Sequence, residues 1–236
     1  MLRLCSDSLF AFVLPLFILC DHCLITGGLF ISEQDFFLSD STFKDNFAPY
    51  GGGFCSLSNA MNASLVNVSF ISNSGDTGGG AYLQDITATA NVVNCSFLNN
   101  SAEAGGSIFA NGNIGYDLGF EALGYSIFIY DPEEWQESHY GYAGSGGVEM
   151  NIDVEGSLFS HNQAFSGGGI FSKHIMSLVI TSCSYKVNTA SENGGALASY
   201  GQTTLSLLDT VFNGNSAIAK GGENVSESSI CAFGSI

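Results

Sequence analysis

The sequence predicts an all-β chain wound into a right-handed parallel β-helix, a solenoid of about seven coils. Three observations carry that expectation. An aromatic followed three residues later by Asn recurs at a nearly fixed step. A glycine pair recurs in phase with it. The segments between them are short, alternate in polarity, and are rich in residues that form helices poorly.

The aromatic motif comes first. It occurs as Phe43 to Asn46, Phe70 to Asn73, Phe97 to Asn100, Phe159 to Asn162, Tyr185 to Asn188 and Phe212 to Asn215, at steps of 27, 27, 62, 26 and 27 residues. The long step fits two coils plus an insertion. Its extra coil is expected at Gly146-Gly147-Val148, with Phe128 as a displaced aromatic.

The glycine motif reads Gly51-Gly52-Gly53-Phe54, Gly78-Gly79-Gly80-Ala81, Gly105-Gly106-Ser107-Ile108, Gly167-Gly168-Gly169-Ile170 and Gly194-Gly195-Ala196-Leu197, with a degraded copy at Gly221-Gly222-Glu223. Glycine pairs suit tight corners where no side chain fits. They do not read as a phosphate cradle, because no G-x-x-x-x-G-K-[ST] occurs.

Ahead of each aromatic the chain alternates. Val66, Val68 and Phe70 share one parity, as do Val93, Cys95 and Phe97, and Val179, Thr181, Cys183 and Tyr185. That predicts one strand with one buried face. A period of this length is too short for a helical-hairpin repeat but fits one turn of a solenoid. Coils stacking at about 4.8 Å place like residues over like, giving a rod on the order of 35 Å long. The aromatics then form an internal stack. The asparagines form an amide ladder that satisfies turn backbone and the neighbouring Asn.

Composition narrows the function. Five basic residues face twenty-two acidic ones, for a net charge of −17. Phosphate binding needs clustered Lys and Arg, so nucleic acid is not an expected partner. Apolar residues make up 45%, enough for a continuous core.

Paired F-x-x-N and G-G-A-[ILV] motifs resemble the polymorphic outer membrane protein repeat of chlamydial surface proteins. Gly194 to Leu197 matches outright, Gly79 to Tyr82 and Gly167 to Ile170 nearly so, and all the F-x-x-N copies match apart from Tyr185. The likeness spans roughly residues 38–224. It implies a right-handed β-helix that is secreted or held at a cell surface, often in adhesion. Relatives that export themselves carry a C-terminal membrane barrel, whereas the repeats here run on to Ser228–Phe233, which reads as the opening of another coil.

Residues 1–23 are expected to be a signal peptide. Leu9 to Cys20 is an apolar run too short to span a bilayer, and Arg3 precedes it. The repeat domain is then 24–236, and Thr26-Gly27-Gly28-Leu29 already has the look of a glycine corner. Residues 111–147 form an insertion loop, expected on the binding face. Asp131, Glu133, Glu134, Trp135 and Glu137 are its candidate contacts, for a protein or glycan surface ligand.

The chain has seven cysteines. Cys95 and Cys183 share an inward column at least three coils apart and read as free thiols. Cys20-Asp21-His22-Cys23 has no second pair to complete a metal site. Five N-x-[ST] tripeptides begin at Asn62, Asn67, Asn94, Asn99 and Asn224. Asn- and Ser-rich strands generate such tripeptides by composition.

No catalytic residue and no cofactor are expected. Polysaccharide-cleaving β-helices need paired carboxylates with nearby Arg or Lys. The single arginine is Arg3, and Lys44 and Lys186 fall at equivalent solvent-facing corners. His22, His139, His161 and His174 accompany no recognisable nucleophile. The expected function is therefore a non-catalytic secreted or cell-surface scaffold acting in adhesion. Two alternatives stand beside it: a carbohydrate-binding or degenerate polysaccharide-active β-helix of pectin-lyase-like fold, and a structural piece of a larger envelope protein.

Overall fold

A computed structural model describes residues 27–32, 35–57, 62–84, 86, 89–112, 150–200, 204–218 and 230–233. They form a right-handed parallel β-solenoid.

The first coil holds β1 (Leu29–Ser32), β2 (Phe36–Ser39) and β3 (Thr42–Lys44). The second repeats them as β4 (Phe54–Leu57), β5 (Asn62–Val66) and β6 (Ser69–Ile71). The third gives β7 (Ala81–Gln84), β8 (Thr89–Val93) and β9 (Ser96–Leu98). The next coils add a short fourth strand. One holds β10 (Ile108–Asn111), β11 (Asn151–Glu155), β12 (Leu158–Ser160) and β13 (Gln163–Ser166). Another holds β14 (Ile170–Lys173), β15 (Ser177–Thr181), β16 (Ser184–Lys186) and β17 (Thr189–Asn193). The last holds β18 (Leu197–Tyr200), β19 (Thr204–Leu208), β20 (Val211–Asn213) and β21 (Ser216–Ala217). Then β22 (Ile230–Phe233) opens one more winding, pairing Ile230 with Leu197.

Each face is a parallel sheet running along the rod. The first is β1-β4-β7-β10-β14-β18-β22, the second β2-β5-β8-β11-β15-β19, the third β3-β6-β9-β12-β16-β20 and the fourth β13-β17-β21. From Phe43 to Phe212 the chain makes five turns, one for each step along the third sheet.

The expected seven coils are an overcount. β12 pairs directly with β9, setting Phe159 against Phe97, and β11 pairs directly with β8. No coil lies between them. The 62-residue step is one ordinary turn with about 35 extra residues inserted at a single corner. Gly146-Gly147-Val148 and Phe128, expected to mark the extra coil, lie outside the described residues. Asn111, expected as the first residue of the insertion, belongs to β10 in register with Gln84 and Lys173.

The expected single strand before each aromatic is two strands. Ala63 and Leu65 are buried, then Val68 and Phe70, while Val66 is only half-buried. The parity slips because the residue between takes a left-handed backbone, with φ of 55° at Asn67, 51° at Asn94 and 53° at Ser182. One such residue breaks the two-residue alternation and turns the chain from the second sheet to the third. Asn tolerates that conformation better than most side chains. Val179 and Thr181 are half-buried for the same reason, and Leu178 and Ile180 point inward instead.

Two glycines of each triplet do different work. The first has positive φ, as at Gly105 (65°). The second passes the next coil closely: a Cβ on Gly79 would lie 2.4 Å from the Ser101 carbonyl oxygen. The Gly27-Gly28-Leu29 corner begins the first coil, with Leu29 opposite Phe54.

Candidate functional site

Two internal ladders follow from the register. The aromatic stack runs Phe43, Phe70, Phe97, Phe159, Tyr185, Phe212. Its ring centroids are 5.2, 4.8, 5.0, 4.5 and 5.0 Å apart, and the planes lie within 13° of parallel. Parallel strands in register hold equivalent side chains at the strand spacing, which imposes stacking. Apolar neighbours from three sheets surround the rings in one continuous core. The Tyr185 hydroxyl is buried and meets no hydrogen-bond partner, and burial raises its pKa well above the usual value.

The amide ladder runs Asn46, Asn73, Asn100, Asn162, Asn188, Asn215. Asn162 shows the interior pattern. Its Nδ2 donates to the Phe97 carbonyl (2.9 Å) and to Asn188 Oδ1 (2.8 Å). Its Oδ1 accepts from the Asn100 backbone N–H (2.9 Å) and from Asn100 Nδ2 (3.1 Å). Two donors and two acceptances use the whole amide, which neither Asp nor Gln could reproduce. These twelve residues are brought together as expected positions in one core, and their geometry is that of packing and turn closure.

A third column lies two residues before each aromatic. Cys95 N–H donates to Ser157 Oγ (3.0 Å), and Ser157 N–H donates to Cys183 Sγ (3.4 Å). Cys95 and Cys183 are therefore two coils apart, closer than the three read from sequence, because the intervening coil is not there. They remain free thiols separated by Ser157. Burial pushes the Cys95 thiol up to about 11 and also raises Cys55 and Cys183. Such thiols stay protonated and are poor nucleophiles.

The outer face of the first sheet carries a feature that the sequence reading missed. Tyr82, Phe109 and Phe171 stack at 5.2 and 5.3 Å, Tyr200 continues the column at 5.1 Å, and Tyr50 meets Tyr82 edge-on. The signal was an aromatic one place after the glycine corner in successive repeats. Tyr82, Phe109 and Phe171 are only 6%, 7% and 1% exposed, so the column is a second small core. At its edge the Tyr82 hydroxyl bonds Gln84 Oε1, and Asn193 Nδ2 donates to the Tyr200 hydroxyl (3.1 Å). Lys173 and His174 sit at the same corner. Burial lowers the pKa of both, and for His174 the nearby Lys173 charge lowers it further.

This corner is where the insertion leaves the rod. Gly112 N–H donates to the Lys173 carbonyl (3.0 Å), and Met176 N–H donates to the Met150 carbonyl (2.8 Å). The candidate contacts Asp131, Glu133, Glu134, Trp135 and Glu137 lie outside the described residues, as does the expected signal peptide at 1–23.

The remaining candidates are scattered. Lys44 and Lys186 are exposed at corners, and among the described residues Lys44 pairs with its neighbour Asp45 (3.7 Å). His161 is exposed, with Nδ1 2.8 Å from the Ser160 hydroxyl. Among the described residues no three His, Cys, Asp or Glu side chains are grouped to hold a metal ion, and no helix is long and apolar enough to cross a membrane.

Comparison of the chain with protein-family models, with curated proteins and with solved structures returned no match, so the likeness to the polymorphic outer membrane protein repeat stands on its F-x-x-N and G-G-A-[ILV] motifs.

Proposed function

We propose that this chain is a non-catalytic β-helix scaffold, secreted or held at a cell surface, that presents the segment between Gly112 and Met150 for adhesive binding to a protein or glycan surface. One observation carries the reading. About 35 extra residues enter at a single corner, and β10–β14, β8–β11 and β9–β12 still pair without a register shift. A rod that absorbs an insertion of that size without distortion is suited to display it, since coils stack through nearest neighbours and loops leave on one face. Its acidic net charge favours neutral or cationic partners over anionic ones.

The test replaces residues 113–149 with two residues, which with Gly112 and Met150 restores a four-residue connection like that between β7 and β8. Intact and shortened proteins are then compared for binding to cultured cells and to a glycan array. Loss of binding with an unchanged β-rich circular dichroism spectrum supports the reading. Equal binding by the shortened protein refutes the role of the insertion.

The carbohydrate-binding alternative draws support from the outer ring column beside Gln84, Asn111 and Asn193. Its three central rings, Tyr82, Phe109 and Phe171, are buried, however, and sugar stacking needs open faces. The scaffold reading is the better supported of the two.

A further inference from the structure

Asparagine has two roles in this molecule, and burial separates them. The described residues include fifteen asparagines, of which five are exposed: Asn62, Asn67, Asn94, Asn99 and Asn213. Four of those five open an Asn-x-Ser tripeptide, ending in Ser64, Ser69, Ser96 and Ser101. None of the ten buried or half-buried asparagines does. The contrast is sharpest in the ladder. Asn73, Asn100, Asn188 and Asn215 are each followed at once by Ser or Thr, yet the residue after that is always Gly or Ala. A chain merely rich in Asn and Ser would scatter the tripeptide over both sets.

The exposed four lie on the second and third coils. Asn67 and Asn94 sit one coil apart at the left-handed corner between the second and third sheets, with φ of 55° and 51°. Asn99 occupies the next corner (φ 55°), and Asn62 begins β5. On the neighbouring coil Gly156 gives the Asn94 amide its place: a Cβ there would lie 2.4 Å from Asn94 Oδ1. Asn62 Nδ2 donates to Asp35 Oδ2 (3.3 Å) and Asn67 Nδ2 to Asp40 Oδ1 (3.1 Å). An N-linked amide keeps one N–H, enough to make one such bond.

We infer that Asn62, Asn67, Asn94 and Asn99 are acceptors for N-linked glycans, which coat the corners of the second and third coils. In the transfer, Asn Nδ2 bonds to C1 of the first sugar of a lipid-diphosphate-linked oligosaccharide. The bond from C1 to the diphosphate oxygen breaks, the lipid diphosphate leaves, and the amide nitrogen gives up one proton. The inference rests on the secreted reading above, because the transferase and its sugar donor lie in a secretory lumen.

The full chain is expressed in a eukaryotic secretory host in two forms, behind its own first residues and behind a heterologous leader. Intact mass is read before and after peptide-N-glycosidase treatment. Delivered protein is expected to lose mass in discrete steps and to show Asp at 62, 67, 94 and 99. Asn224, whose tripeptide lies outside the described residues, would add a further step. Ser64→Ala, Ser69→Ala, Ser96→Ala and Ser101→Ala each remove one step while leaving the Asn in place. Ser→Thr at the same position keeps that step, which separates loss of the acceptor from loss of folding. Secreted, folded protein that loses no mass overturns the inference, whichever leader delivered it. Retention behind its own first residues, with glycans gained behind the heterologous leader, supports the acceptor sites and counts against the secreted reading alone.

Discussion

Asn162→Ala tests the amide ladder at its centre. The substitution removes two donated and two accepted hydrogen bonds from a fully buried position. It leaves the Asn100 backbone N–H and one Asn100 Nδ2 hydrogen without a partner where solvent does not reach and takes a donor from the Phe97 carbonyl, while Asn188 Oδ1 keeps the Asn162 backbone N–H. A buried polar group left unsatisfied costs about 1–3 kcal/mol, so two of them make the expected loss on the order of 3–5 kcal/mol. That is a large share of the ~5–15 kcal/mol that stabilises an ordinary domain. The control is Asn46→Ala at the end of the ladder. Its backbone N–H still reaches Asn73 Oδ1, and only the side-chain bond to that atom (2.9 Å) is lost, at a part-buried site. Its expected cost is about 1 kcal/mol. Urea unfolding followed by circular dichroism measures both, provided each variant keeps the parent's denaturant slope. Equal losses for the two variants, or less than about 1 kcal/mol for Asn162→Ala, would refute the claim that the ladder is a buried load shared along the rod.

Tyr185→Phe removes the unpartnered buried hydroxyl from the stack and should raise stability by about 1–2 kcal/mol in the same titration; destabilisation would mean that the hydroxyl is satisfied. Gly79→Ala places a methyl 2.4 Å from the Ser101 carbonyl oxygen and 2.5 Å from that of Gly106, and should cost at least ~2 kcal/mol because both obstacles are backbone. Stability should fall as pH rises from about 9 to about 11. Cys95 keeps its proton in the folded state until about 11 but loses it near 9 when unfolded, so the folded state binds the extra proton across that window. The raised Cys55, Cys183 and Tyr185 act in the same sense, and Cys95→Val should flatten the slope of thermal midpoint against pH. Replacing 113–149 by two residues should leave the urea midpoint nearly unchanged, since the paired strands on either side of the corner are kept.

The period, the ladders and the glycine corners were legible in the sequence because a solenoid repeats one environment every turn. Phe70, Phe97 and Phe159 meet the same neighbours, so selection for packing writes the same residue type at the same phase. Asn73, Asn100 and Asn162 repeat for the same reason, each needing two donors and two acceptors. What the chain order could not reveal was everything that depends on pairing. A gap of 62 residues is compatible with one coil or two, and only the register of Phe97 against Phe159 decides for one. A single left-handed residue at Asn67 or Ser182 shifts side-chain parity without any break in composition, so the second and third sheets looked like one strand. Burial of the outer ring column depends on residues such as Ala104, which the fold packs against Tyr82 and Phe109 from another part of the coil. Local sequence determines which residue types recur and how often, because each coil solves the same packing problem. Tertiary structure decides which coils are neighbours and which side of each strand faces water, because hydrogen bonds between turns join residues that the chain itself places 26, 27 or 62 positions apart.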